Sequence, residues 1–211
     1  ATWTPDVLQD KLDLTLGLRY TDDDRNASRS NDGWFANSFY PGQTDAQKNK
    51  VDYTAIADYN WTDEFSTYAK VATGFRSGGS SRNGVDFDQP FDSEELTSYE
   101  LGWKSEMLEQ RLRVNGAAYY MQNTDIILDY LPDPVNTPQF VESFNSGDAD
   151  VYGLEVDVQA AITDEFLVGV SYAFLNYDFS TVDFPDGSDH TDTTALVWGP
   201  ENAYTLTGAY N

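Results

Sequence analysis

The sequence contains long stretches in which apolar and polar residues alternate. In the first stretch, Leu12, Leu14, Leu16, Leu18 and Tyr20 alternate with polar or small residues. A period of two places one residue set on each face of a β-strand. Strands of soluble proteins average about five or six residues, whereas about nine to eleven tilted residues cross a bilayer. The stretches run for about ten residues or more, so they favour membrane-spanning strands with one apolar and one polar face.

The alternation recurs along the whole chain and predicts about eight strands. Their ranges are 11–20, 49–61, 65–76, 95–107, 111–129, 139–162, 166–178 and 194–211. The sixth is long enough to require a β-bulge. We expect the bulge at Ser146-Gly147-Asp148, because glycine accepts the unusual dihedral angles of such a kink.

The connections between these strands alternate between short and long. Three short turns are Trp61-Thr62-Asp63-Glu64, Leu108-Glu109-Gln110 and Thr163-Asp164-Glu165, and the long polar stretches are roughly 21–48, 77–94, 130–138 and 179–193. Successive connections of an antiparallel barrel lie at opposite rims, and outer-membrane barrels combine short periplasmic turns with long outside loops. The sequence therefore predicts an all-β fold, a transmembrane antiparallel up-and-down β-barrel in the bacterial outer membrane with extracellular long loops.

Aromatic residues lie near both ends of the predicted strands, as anchoring at a lipid interface predicts. Near the short turns they are Trp61, Phe65, Trp103 and Phe166, and near the long loops they are Tyr20, Phe75, Phe174 and Trp198. Aromatic residues also favour strands in any surroundings. Lipid-interface belts and simple strand propensity are both open interpretations of the pattern.

The composition excludes several classes of function. The formal net charge of -24 disfavours nucleic acid as a partner, because phosphate binding needs clustered Lys and Arg. No zinc motif, P-loop or nucleophile elbow is present. We therefore expect no enzyme activity, no catalytic residue and no cofactor. His190 lies in an acidic loop that could attract calcium, but the spacing is not that of an EF-hand, and we expect a solvated loop without a metal.

Three blocks of sequence carry a family resemblance. Tyr68–Gly79 contains GFRSGG, Glu94–Ser105 contains SYELGWKS, and Asn145–Val156 reads NSGDADVYGLEV. In this order and spacing they resemble the barrel of TonB-dependent outer-membrane receptors. The resemblance implies a barrel of 22 strands, a plug domain inside it, and energy coupling to the inner membrane through TonB.

The sequence differs from the whole family pattern at both ends. We expect no plug domain or TonB box before Ala1, and we expect the last strand to end at Asn211 without the usual terminal aromatic strand. We expect residues 1–211 to be a partial outer-membrane β-barrel domain of about eight strands. The plug domain and the C-terminal strands would then be absent from this chain.

The resemblance implies a section of a transporter that imports a scarce nutrient, such as a ferric siderophore, energised through TonB. Expected partners are outer-membrane lipid, TonB by way of a plug domain not in this chain, and a nutrient ligand such as an iron chelate. Candidate ligand-binding residues are Trp34, Phe35, Phe39, Tyr40, Arg76 and Arg82. Loop aromatics can instead pack on one another to order a long loop.

A different class of function stays open. A passive pore, or a structural outer-membrane barrel component of a larger assembly, would have the same strands without energy coupling. A soluble adhesive sandwich is a third interpretation, since period-two strands also build sandwiches.

Overall fold

The computed structural model describes residues 1–8, 10–30, 42–81, 87, 89–133, 135–136, 140–195 and 199–210. These residues contain β-strands and two short 3-10 helices, Asp6–Leu8 and Thr191–Thr193. The strands are β1 (Thr2–Trp3), β2 (Leu12–Arg29), β3 (Gly42–Thr62), β4 (Phe65–Arg76), β5 (Gly79–Ser80), β6 (Pro90–Phe91), β7 (Glu94–Met107), β8 (Leu112–Thr124), β9 (Ile127–Tyr130), β10 (Glu142–Asn145), β11 (Ala149–Ala161), β12 (Phe166–Phe179) and β13 (Asn202–Tyr210). The all-β prediction is confirmed.

Nine of the strands form one antiparallel sheet in the order β1-β2-β3-β4-β7-β8-β11-β12-β13. Each long strand pairs with the next long strand along the chain, which is the up-and-down arrangement expected from the sequence. The remaining strands form two small hairpins, β5–β6 and β9–β10. β1 and β13 are the two edges of the sheet, so the residues described here do not close a barrel.

The first long connection is shorter than the sequence predicts. The range 21–48 was expected to be a loop, but β2 continues to Arg29 and β3 begins at Gly42, and the two pair residue by residue up to Arg29 and Gly42. This extension carries polar residues on both faces, so it lacks the apolar alternation that marks the rest of the strands. Its backbone hydrogen bonds form without any apolar face to bury. The short β1 was also missed.

The fifth, sixth and eighth predicted strands are wrong in extent. The eighth, expected over 194–211, is β13, which begins only at Asn202. β8 ends at Thr124 and Asp125 has a φ of 55°, so the chain leaves the sheet before β9. The bulge expected at Ser146-Gly147-Asp148 is a full break, with Gly147 at a φ of 133°. An ideal Cβ at Gly147 would lie 2.3 Å from the carbonyl oxygen of Thr181. β9 and β10 therefore pair with each other outside the main sheet.

The three predicted short turns are confirmed, and their positions step along the sheet in one direction. Phe65, the first residue of β4, pairs with Ser105, two residues before the end of β7 at Met107. Leu112, the first residue of β8, pairs with Ala160, one residue before the end of β11 at Ala161. A step of one or two residues per hairpin is about 0.5 to 1 residue per strand. With about 3.3 Å per residue and about 4.8 Å between strands, the larger value gives a strand tilt of ~35°, the lower end of the range of closed barrels.

The sheet has one apolar face and one polar face. Directly paired residues share a face, and one row of the apolar face is Leu14, Ala57, Ala69, Leu101, Ala118, Leu154 and Phe174. On this face Leu18 is 82% exposed and Leu206 is 77% exposed. The buried apolar side chains lie mainly in and beside the long connections: Phe87, Ile126, Ile127, Phe140, Ala149, Val151 and Val182. The apolar face is therefore left without a protein layer over it.

Within the described residues, no helix has both the length and the hydropathy needed to cross a membrane.

Candidate functional site

The polar face carries a hydrogen-bonded network near its centre. The Tyr68 hydroxyl donates to Glu100 Oε1 at 2.6 Å, and Lys70 Nζ lies 3.4 Å from Glu100 Oε2. Lys104 Nζ lies 5.5 Å from the centroid of the Tyr68 ring. The Tyr68 hydroxyl and the Lys70 ammonium group both bind the Glu100 carboxylate. These contacts lower the free-energy cost of placing that negative charge on the sheet.

Glycines opposite aromatic residues create the space for this arrangement. Tyr68 pairs directly with Gly102, and Tyr119 pairs directly with Gly153 on the same face. An ideal Cβ at Gly153 would lie 2.4 Å from the Tyr119 hydroxyl oxygen. The rings thus extend sideways over the neighbouring strand and cover backbone that would otherwise be exposed.

Nearer the long connections, β3 and β4 separate. Their pairing runs from Thr62 and Phe65 to Thr54 and Ala72 and then stops. Beyond that point the Thr73 hydroxyl accepts from the backbone N–H of Tyr53 at 3.0 Å. Where the two strands diverge, a hydrogen bond to a side chain therefore replaces those between the two backbones.

Arg76, a predicted ligand-binding residue, lies on the polar face at the end of β4. Its Nη1 is 3.7 Å from Glu94 Oε2, and its side chain is 64% exposed. The same Glu94 oxygen accepts from the backbone N–H of Ile127 at 3.1 Å. Arg76 is thus positioned by a carboxylate but keeps most of its guanidinium accessible.

The other predicted ligand-binding residues lie outside the described residues. They are Trp34, Phe35, Phe39, Tyr40 and Arg82. The structure gives no test of their role.

The long connections fold together into one unit, which we call the loop cap: residues 77–81, 89–93, 125–130, 141–148 and 180–194. Asn145 joins three of its segments. Its Oδ1 accepts from the Asp92 N–H at 2.6 Å, and its Nδ2 donates to the carbonyl oxygens of Asp92 and Asp125 at 3.0 and 2.8 Å. Ser81 and Ser143 add a second link, with the Ser143 N–H donating to Ser81 Oγ at 2.7 Å.

Four rings pack together inside the loop cap. The centroids of Tyr130, Phe144 and Phe184 lie 5.1 to 5.6 Å apart, and His190 lies 4.1 Å from Phe184. The His190 ring therefore packs against this cluster, whereas the acidic residues of its loop are exposed to solvent: Asp183, Asp186, Asp189 and Asp192. Among the described residues no group of three or more His, Asp or Glu side chains is arranged to hold a metal ion.

Two carboxylates order the last part of the loop cap. The Ser188 hydroxyl and N–H donate to Asp186, and they hold the pKa of that carboxyl below its usual value. The Thr191 hydroxyl donates to Asp189 at 2.6 Å and lowers the pKa of Asp189 in the same way. Thr191 Oγ1 also accepts from the N–H of Val182, which is fully buried.

The aromatic residues predicted at strand ends all share the apolar face, wherever the structure describes them. Near the short turns are Trp61, Phe65 and Phe166, with Trp103 further along β7, its ring over Gly116. Phe75 lies near the end of β4. Tyr20 and Phe174 lie within their strands, and Tyr20 marks the last apolar pair, with Val51, before the polar extension of β2 and β3. Trp198 lies outside the described residues.

Lys and Arg are confined to one part of the chain. Every Lys and Arg lies at or before Arg113, and residues 114–211 contain acidic residues but no Lys or Arg. The long connections after β8 therefore carry uncompensated negative charge, whereas the ends of β2, β3 and β4 carry both signs. There, Lys48 and Lys50 both pair with Glu95, at 3.0 and 2.6 Å.

Comparisons with known proteins agree on one family. A family profile described as "TonB dependent receptor-like, beta-barrel" matches residues 1–211. The metal-pseudopaline receptor CntO of Pseudomonas aeruginosa is 26% identical over 180 residues, which cover 80% of this chain and 23% of that receptor. The ferric-pyoverdine 358 receptor of Pseudomonas putida is 29% identical over 158 residues, covering 72% of this chain and 18% of the receptor.

Solved structures show the same fold. The siderophore receptor PiuA of Acinetobacter baumannii matches with a TM-score of 0.71 at 20% identity, over 95% of this chain and 29% of that one. The copper transporter OprC matches with a TM-score of 0.70 at 16% identity, over 100% of this chain and 31% of that one. The matched residues thus span about a fifth of the length of these curated relatives.

Proposed function

Because the chain belongs to the β-barrel family of TonB-dependent receptors, we propose that it is a section of the wall of an outer-membrane transporter that imports a scarce metal chelate, such as a ferric siderophore. Energy would come through TonB, by way of a plug domain. The observation that carries the proposal is a continuous sheet of long tilted strands with one apolar and one polar face, matched over its whole length by the family profile. The curated relatives are receptors rather than enzymes.

The orientation of the wall follows from its two rims. Outer-membrane barrels place short turns in the periplasm and long loops outside. We place the turns at Asp63–Glu64 and 108–111 in the periplasm and the loop cap outside the cell. The apolar face would contact lipid, with Trp61, Phe65 and Phe166 at one interface and Tyr20 and Phe75 towards the other.

The ligand would meet the polar face near the loop cap. Arg76 supports this assignment, because it is exposed there and a guanidinium suits the oxygens of an anionic chelate. The same role is proposed for Arg82 and for the aromatic residues Trp34, Phe35, Phe39 and Tyr40 of the first long connection. The names of the curated relatives, a metal-pseudopaline and a ferric-pyoverdine receptor, favour a metal chelate as the cargo.

Uptake by cells that express the full-length gene product tests the proposal. Radiolabelled iron in a panel of ferric siderophores is supplied to iron-starved cells with and without a protonophore. Accumulation that requires both the gene and the proton-motive force supports an energised receptor. Accumulation that persists after the proton-motive force has collapsed would identify a passive pore instead.

A further inference from the structure

We propose that His190 is a pH-dependent latch for residues 180–194, the last part of the loop cap, and that its charged imidazolium form holds this segment closed. The inference goes beyond the proposed function, because it concerns the folding of the loop cap and holds for any ligand. In the orientation proposed above, the segment faces the medium outside the cell. The pH of that medium would then set the state of the segment.

His190 holds the backbone of this segment together. Its N–H donates to the Val182 carbonyl oxygen at 2.8 Å, and its own carbonyl oxygen accepts from the N–H groups of Thr193 and Thr194, both at 3.0 Å. Its ring packs on Phe184 with 4.1 Å between the centroids. A change in the charge of the ring therefore acts directly on the contacts that order the segment.

The two ring nitrogens of His190 both face hydroxyl oxygens. Nε2 lies 2.9 Å from Ser188 Oγ, and Nδ1 lies 3.3 Å from Thr193 Oγ1. The Ser188 hydroxyl donates to Asp186 Oδ1 at 2.5 Å, so its oxygen accepts from an N–H at Nε2. The Thr193 hydroxyl donates to the His190 carbonyl oxygen at 3.1 Å, so its oxygen accepts from an N–H at Nδ1.

Only the imidazolium form of histidine has an N–H at both ring nitrogens. When the ring of His190 is neutral and keeps its N–H at Nε2, Nδ1 has no hydrogen to donate. The Thr193 hydroxyl must then turn from the His190 carbonyl oxygen to the ring, or Nδ1 is left without a partner. One hydrogen bond around His190 is lost in either case, so the geometry fits the charged form best.

The charges around the ring favour the same form. Residues 114–211 contain no Lys or Arg, so His190 is the only side chain there that can become positively charged. No Lys or Arg of the described residues forms an ion pair with residues 180–194. The titratable groups of the segment itself and of the β9–β10 hairpin, which packs on Phe184, are Asp183, Asp186, Asp189, Asp192, Asp129, Tyr130 and Glu142.

The direction of the pH dependence follows from these charges. Hydrogen bonds from Ser188 and Thr191 lower the pKa of Asp186 and of Asp189, and the charge of His190 lowers both further. A histidine side chain changes its charge between about pH 5 and 8, a range in which both carboxyls are ionised. The stabilising effect of the imidazolium is present at the acid end of that range and is lost as the pH rises through it.

Hydrogen exchange in the purified full-length protein in detergent tests the latch. The Val182, Phe184 and Gly187 amides lie in the segment and donate to Thr191 Oγ1 or to backbone carbonyl oxygens of the segment. Their exchange, corrected for intrinsic rates, should be about fivefold faster at pH 8 than at pH 5.5, the effect of losing one hydrogen bond. His190→Gln should abolish this difference, because glutamine does not titrate.

Thr193→Val and Thr194→Val are a matched pair of variants. The Thr193 hydroxyl contacts the ring at Nδ1, whereas the Thr194 hydroxyl donates to the His190 carbonyl oxygen at 2.9 Å and has no contact with the ring. Thr193→Val should reduce the pH difference to about twofold or less, because Nδ1–H loses its acceptor. Thr194→Val should keep the fivefold difference.

Three results would overturn the latch. The first is equal or greater protection of these amides at pH 8 than at pH 5.5 in the unchanged protein. The second is a pH difference that persists in His190→Gln, and the third is an equal reduction in Thr193→Val and Thr194→Val. The measurement needs neither a ligand nor TonB, so its result is separable from that of the uptake experiment.

Discussion

The Tyr68 ring lies across the strand that contains Gly102. The two residues pair directly between β4 and β7, and an ideal Cβ at Gly102 would lie 2.3 Å from Tyr68 Cε1. The same relationship repeats one strand further on the opposite face, where Trp103 covers Gly116, and again where Tyr119 covers Gly153. These pairs tie four successive strands, β4, β7, β8 and β11, into one register.

Gly102→Ala should lower the free energy of unfolding by about 1–3 kcal/mol, because the added methyl group displaces the Tyr68 ring and its hydrogen bond to Glu100. Urea unfolding in lipid vesicles measures the change. Gly74→Ala is the control on the same face, since an ideal Cβ there meets nothing within 4 Å. Equal losses from both variants would show that the ring does not fix the register.

Asn145→Ala should loosen the loop cap while leaving the main sheet intact. The change removes the hydrogen bonds that join Asn145 to Asp92 and Asp125. Limited proteolysis is expected to cut within residues 77–93 and 125–148 at least several times faster than in the unchanged protein, since one to three kcal/mol of local stability is lost. A protease that cuts at acidic or aromatic residues is suitable.

Asn136→Ala gives the comparison for that variant. Asn136 hydrogen-bonds only to Asp133 within its own turn, among the residues described. Proteolysis of the loop cap should be unchanged in Asn136→Ala. If both Asn variants open the cap equally, Asn145 is not its cross-link.

Gln110→Gly should stabilise the turn between β7 and β8. Leu108, Glu109 and Gln110 have φ values of 56°, 56° and 67°, a left-handed conformation that costs about 1–2 kcal/mol for a residue with a Cβ. Part of the gain is offset by the entropy of glycine in the unfolded chain, so we expect a net gain below about 1 kcal/mol. Thermal unfolding in detergent measures it.

Glu64→Gly in the turn before β4 is the control for that substitution. Glu64 does not have a positive φ, so glycine there brings only the entropic loss. A rise in the unfolding temperature for both variants would contradict the explanation from backbone strain.

The end of the loop cap should loosen at acid pH. Hydrogen bonds from Thr191 lower the pKa of Asp189, so their stabilising effect is present above the ordinary carboxyl pKa and is lost as the pH falls through the lowered folded value. Hydrogen exchange of the Val182 and His190 amides, corrected for intrinsic rates, should accelerate below about pH 4. Asp189→Asn should show the same acceleration at neutral pH. Asp183→Asn is the control and should not, because the Asp183 side chain makes no hydrogen bond with the described residues.

The sequence predicts the fold correctly where alternating apolar and polar residues coincide with a hydrogen-bonded strand. An apolar residue at every second position identifies the strand from Leu12 to Tyr20, and the parity of short and long connections fixes its direction. The strand continues to Arg29 without that signal, because an extension with water on both faces needs no apolar residues. Only its pairing with Gly42–Asn49 reveals it.

The candidate site was predictable only in part, for the same reason. Arg76 belongs to a recognisable block of sequence and lies where the sequence suggested. Arg25 was assigned to a loop, so its place on the polar face could not be inferred. Asn145 contacts residues far away along the chain, and such contacts leave no local pattern.

The step from one short turn to the next is one or two residues in the same direction, which makes the hairpins similar modules. A hairpin that contributes the same step as its neighbours can be duplicated or deleted without changing the tilt of the remaining strands. The circumference would grow or shrink by two strands, while each strand would still cross the same thickness. A wall of this kind can change its diameter in evolution by gene duplication of hairpins, without redesign of the strands that are already present.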